Sequence, residues 1–198
     1  MSNGYIRWYE REWSARRAAE RVDALARSGI SLRNDSDGRI TALRDDLGFE
    51  GDLIEFTESE ALAELAMTMR DELSIKFWFR ADENVYATLT RPGGPRIITE
   101  FDLDGVGRED RELLLGFILV HLELTDLLVV DLSGGTDPDD WDAFAGGSGH
   151  GSLLIPDLIA LSGDLVESWP WPGTPPHRIG PLVGLDRTGV IERARVFR

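Results

Sequence analysis

Residues 74–103 read SIKFWFRADENVYATLTRPGGPRIITEFDL. Ile75, Phe77 and Phe79 alternate with Lys76, Trp78 and Arg80, which is the two-residue period of a strand. Residues 81–84 turn the chain, and Val85, Ala87 and Leu89 then alternate with Tyr86, Thr88 and Thr90. A second turn, RPGGP, leads to Ile97, Thr99 and Phe101 alternating with Ile98, Glu100 and Asp102. Connections this short join antiparallel neighbours, so the stretch predicts a three-strand meander with one apolar face.

Working outward, residues 58–73 predict a helix. Thr57 and Glu60 form a capping box at its start, and Leu62, Leu65, Ala66, Met69 and Leu73 follow on one face. Residues 3–28 predict another, with Ile6, Tyr9, Trp13, Ala18, Val22 and Leu25 near helical spacing. Between them lie a turn cluster, Asn34 to Gly38, read as the tip of a hairpin, and the alternating DLIEFT of residues 52–57. Residues 109–124 predict a helix apolar almost all round, hence buried on more than one side. DLLVVDLS, residues 126–133, reads as a central strand by its continuous apolar run. From about residue 133 glycine and proline multiply, with one helix expected between Leu153 and Leu165 and a closing strand in GVIERARVFR. The expected fold is α+β: a single domain over 1–198, with an antiparallel or mixed sheet packed by helices at 3–28, 58–73 and 109–124.

The absence of cysteine excludes disulfides, thiolate metal sites and cysteine nucleophiles. The charged N-terminus lacks the apolar centre of a signal peptide. Residues 113–132 are interrupted by His121, Glu123, Asp126 and Asp131, so no membrane span is expected and the expected compartment is the cytoplasm. The net charge of −15 disfavours nucleic acid and anionic membranes and favours a basic protein partner. The charge is uneven: residues 100–142 carry thirteen Asp and Glu against Arg108 and Arg111. Lys76 is the one lysine, an arginine bias typical of GC-rich coding in bacteria such as actinobacteria.

Residues 133–152, SGGTDPDDWDAFAGGSGHGS, concentrate the candidate site. An EF-hand frame started at Asp137 puts Trp141 fifth and Ser148 twelfth, so calcium spacing fails and no metal is expected. Ser148 has Gly146 two before it but His150 two after it, so there is no serine elbow. His121-x-Glu123 lacks the cysteines a zinc deaminase requires, and His121 reads as a packed histidine. The stretch TDPDDWDAF reads as a helix start: Asp137 suits the N-cap, Pro138 the first turn, and Asp139 and Asp140 the positive end of the dipole. Such a helix presents Trp141 and Phe144 together, ringed by Asp137, Asp139, Asp140 and Asp142, either to a basic partner or inward to pin the helix. Neutralising Asp139, Asp140 and Asp142 is expected to weaken binding and spare the fold.

The meander, the apolar helix at 109–124 and the acidic DPDDWDAF together resemble the immunity proteins of bacterial, particularly actinobacterial, polymorphic-toxin systems. The resemblance implies an antitoxin role without catalytic residues or cofactors: binding a cognate toxin, as monomer or homodimer, and occluding its active site. Two other classes fit the composition. One is an acidic secretion or assembly chaperone. The other is an enzyme whose site gathers His150 or His177 with distant aspartates.

Overall fold

The computed structural model describes residues 4–44, 52–67, 73–92, 96–148, 154–171 and 173–194. The chain divides into two compact units. One comprises Arg11–Asp102; the other combines Met1–Glu10 with Leu103–Arg198. Each holds five antiparallel strands among its described residues.

In the 11–102 unit, the elements in chain order are α1 (Ala15–Arg27), β2 (Ile40–Arg44), β3 (Asp52–Phe56), α2 (Glu58–Met67), β4 (Leu73–Arg80), β5 (Glu83–Thr90) and β6 (Ile97–Asp102). They follow β1 (Tyr5–Glu10), which belongs to the other unit. The strand order is β3-β2-β4-β5-β6. The register sets Ile75 opposite Ala87, Phe77 opposite Val85 and Ala87 opposite Phe101, which builds one apolar face. Those five side chains are buried, whereas Lys76, Trp78 and Tyr86 on the other face are half-exposed. The capping box forms: the Thr57 amide donates to Glu60 Oε2 at 2.8 Å, and the Glu60 amide to Thr57 Oγ1 at 3.3 Å.

In the other unit, β1 is joined by α3 (Arg108–Leu119), β7 (Thr125–Asp131), α4 (Pro138–Ala145), β8 (Leu158–Leu161), α5 (Gly163–Ser168), β9 (His177–Ile179), β10 (Leu182–Asp186) and α6 (Val190–Ala194). The order is β1-β7-β8-β10-β9. Ile6 pairs with Val130 and Trp8 with Leu128. This set faces α3, where Trp8 meets Phe117 edge-on at 6.4 Å. Arg7 and Tyr9 pair with Val129 and Leu127 and face α4. Helices on both faces explain the unbroken apolar run of β7. At Gly184 the strands pack so closely that a Cβ would lie 2.0 Å from the Ile159 carbonyl oxygen and 2.7 Å from Ile179 Cδ1.

The expected layout is corrected in several places. Residues 3–28 are not one helix. YIRWYE forms β1, a strand buried along its whole length, and only Ala15–Arg27 is helical. Glu12, at φ 59°, sits in the left-handed region and breaks any continuous helix, and Ser14 then caps α1 by accepting from the Arg17 amide. The helix expected at 58–73 is described to Met67, and Leu73 already belongs to β4; residues 68–72 lie outside the described set. The helix expected at 109–124 is Arg108–Leu119, because the chain must turn before Thr125 enters β7. The 30–43 segment is no hairpin. Ser31 makes a single bridge to Trp78, and β2 pairs instead with β3 and β4. Leu158–Leu161 is a buried strand rather than helix, and Val190–Ala194 is helix rather than a closing strand. Every described pairing is antiparallel, so the sheet is not mixed.

Candidate functional site

The loop after β7 is organised by Asp131. Its carboxylate accepts from the Ser133 amide at 3.0 Å, the Thr136 amide at 2.6 Å and both hydroxyls, at 3.1 and 2.8 Å. Burial pushes the Asp131 carboxyl up. The bonds from Thr136, Gly135 and Ser133 outweigh that and hold it below the ordinary aspartate value. The loop delivers Asp137 to the N-cap of α4, where its side chain accepts from the Asp139 amide at 3.0 Å, with Pro138 in the first turn.

The predicted site residues then part company. Trp141 and Phe144 are buried, at 0% and 2% exposure. They pack with Trp169, each ring centroid 5.4 Å from the Trp169 ring, so the aromatic pair pins the helix and is not offered to a partner. The half-buried Asp142, its side chain 37% exposed, turns its carboxylate toward β1. It takes Arg7 Nη2 at 2.6 Å, Arg7 Nε at 3.1 Å and the Tyr9 hydroxyl at 2.6 Å. The Arg7 side chain is only 10% exposed, so this is a partly buried, bidentate ion pair. Burial raises the Tyr9 hydroxyl well above the ordinary tyrosine range, Arg7 opposes that, and the bond to Asp142 adds to it. Asp137, Asp139 and Asp140 are exposed. Asp139 and Asp140 form no ion pair or side-chain hydrogen bond among the described residues. The outcome is a short helix locked from beneath, with two free carboxylates on its outer side.

Arg7 and Tyr9 were missed as site residues because reading 3–28 as a helix hides their common face. No alternation of polarity marks that face, because Ile6 and Trp8 between them are buried as well. A second feature was half legible. Lys76 Nζ lies over Trp78 and Tyr86, 5.5 and 5.0 Å from their ring centroids, on the half-exposed face of β4 and β5.

His150 lies outside the described residues. His177 lines a cleft of about 900 Å³ together with Asp131, Asp157 and Asp186. These acids are committed to backbone: Asp157 to the Leu132 amide at 2.8 Å, Asp186 to the Val190 and Ile191 amides at 2.8 and 3.0 Å. The His177 side chain makes no hydrogen bond or ion pair among the described residues, so no carboxylate orients it for proton transfer. No group of three or more potential metal ligands occurs among the described residues. His121 packs on Phe117, with Nδ1 2.8 Å from the Phe117 carbonyl oxygen. No described helix is long and apolar enough to cross a membrane.

No protein-family model matches the chain, and no curated protein does. Among solved structures, a T6SS protein of Pseudomonas aeruginosa aligns with 93% of this chain and 68% of its own length. The identity is 13% and the TM-score 0.40, too low to carry fold or function across.

Proposed function

We propose that this protein is an immunity protein that binds a cognate protein toxin and occludes its active site. The observation that carries the reading is the construction of α4. Asp142, Trp141 and Phe144 hold the helix in place, while Asp139 and Asp140 remain exposed and unpaired. Charges on a preorganised element bind without first being ordered, and they steer a basic surface into register. With a net charge of −15 the whole molecule adds to that steering, toward a basic protein rather than toward nucleic acid or an anionic membrane. If the toxin is a nuclease, the carboxylates stand where substrate phosphates would. The role needs no cofactor, is exercised in the cytoplasm, and fits a monomer or a homodimer.

The test is co-expression with the toxin-like product of a neighbouring gene. The reading expects restored growth and a complex that survives gel filtration. A harmless neighbour, or a toxin that kills regardless of this protein, sinks it.

A further inference from the structure

The strand order ends in β9 in one unit and in β3 in the other, and the two ends are built differently. A bare sheet edge is a template for another chain, and proteins blunt it with short strands, prolines and charge, lysine above all. β9 follows that rule. It is three residues long, its His177 and Arg178 are exposed, and Pro175 and Pro176 precede it. β3 departs from it. It spans five residues, DLIEF, without proline or lysine, and its register to β2 runs unbroken from Phe56 opposite Ile40 to Asp52 opposite Arg44.

The edge is apolar on both faces. Leu53 is 55% exposed, one of three large apolar side chains this open among the described residues. On the opposite face Ile54 and Phe56 are only half-buried, although their β2 partners Ala42 and Ile40 are buried. A sheet residue is covered by neighbours on both sides, and Ile54 and Phe56 have a described strand on one side only. The charge here has one sign. Residues 52–67 carry Asp52, Glu55, Glu58, Glu60 and Glu64 and no basic residue. The arginines that reach them come from elsewhere in the chain. Arg39 Nη1 meets Glu55 Oε1 at 2.7 Å and Arg33 Nη2 meets Glu58 Oε2 at 3.5 Å, with all four side chains more than half exposed. Such surface pairs are worth little and yield to a better-placed cation. A second copy fits this edge badly: antiparallel self-pairing centred on Ile54 sets Leu53 opposite Glu55 and doubles the acids along the seam.

We propose that β3 is a docking edge for an extended segment of a partner protein, added as one more antiparallel strand, with lysine or arginine on the face of Leu53 and Glu55 and apolar side chains on the face of Ile54 and Phe56. The cation pairs with Glu55, and the stem of its neighbour covers Leu53. Backbone hydrogen bonds along the edge supply affinity, and the alternating side chains supply selection. The edge belongs to the 11–102 unit and α4 to the other, so a failure here leaves toxin binding by α4 untouched.

A fluorescent, capped nonapeptide alternating valine with lysine is the probe, titrated with the full chain at low salt. It should bind and slow amide hydrogen exchange within residues 52–56. Glutamate in place of its lysines, or proline in place of its central valine, should each weaken binding at least about tenfold, the first through charge and the second by breaking the ladder. Glu55→Lys and Leu53→Lys should each weaken the lysine peptide about fivefold, and thermal melting of the free variants checks that they are folded. No binding, equal binding of the proline or glutamate peptide, or exchange unchanged at residues 52–56 would overturn the proposal. Concentration-dependent dimerisation of the free protein, abolished by Leu53→Lys, would overturn it as well, by giving the edge to a second copy.

Discussion

Strands β5 and β7 are alike in length and position, yet differ in every second residue. Along β5, Val85, Ala87 and Leu89 are buried while Tyr86, Thr88 and Thr90 are half-exposed. Along β7, only Asp126 escapes full burial. The first is covered on one face; the second is sandwiched between α3 on one side and α4 on the other. Tolerance should follow that difference. The doubly covered unit has no spare face to absorb change, and the half-exposed face of β4 and β5 does.

The sharpest way to break the comparison is to truncate one tryptophan from each setting. Trp141→Ala removes a fully buried ring from the Trp141–Phe144–Trp169 cluster and should cost about 3–5 kcal/mol in urea unfolding. Trp78→Ala, on the half-exposed face, should cost about 1 kcal/mol. Equal losses would erase the distinction. Gly184→Ala forces a Cβ against the Ile159 carbonyl, and a loss of about 3 kcal/mol is expected in the same assay. Asp142→Asn should cost about 2 kcal/mol, because the largely buried Arg7 loses the charge of its bidentate carboxylate partner.

Acid should act on this unit through Asp131. Its carboxyl is held below the unfolded value, so its contribution is complete above that value, near 3.8, and is lost as pH falls through the lower folded one. Between pH 5 and pH 2, the Asp131→Asn variant should therefore lose less stability than the wild type. A parallel decline would remove Asp131 from the account.

The meander was legible because β4 and β5 meet solvent on one face and core on the other, which writes a period of two into the sequence. Residues 5–10 carry no such period, because β1 is buried on both faces, and Arg7 and Glu10, buried polar residues three apart, mimicked the charged face of a helix. Leu158–Leu161 is buried on both faces and too short to show any period. In the candidate site, the N-cap and first turn of α4 were readable, since Asp137 and Pro138 act locally. The role of Asp142 was not, because its partners, Arg7 and Tyr9, lie more than 130 residues away in the chain. Grouping Asp142 with Asp139 and Asp140 as interchangeable surface charge is the resulting error: neutralising all three would destabilise α4 and confound any binding assay.

The most direct test of the account keeps Asp142 and changes only its exposed neighbours. The variant Asp139→Asn, Asp140→Asn should melt within about 0.5 kcal/mol of the wild type. Its affinity for the co-expressed toxin should fall about tenfold at low salt, with the difference shrinking at high salt. Unchanged affinity at low salt, with the fold intact, would contradict the claim that α4 is built to present these two carboxylates.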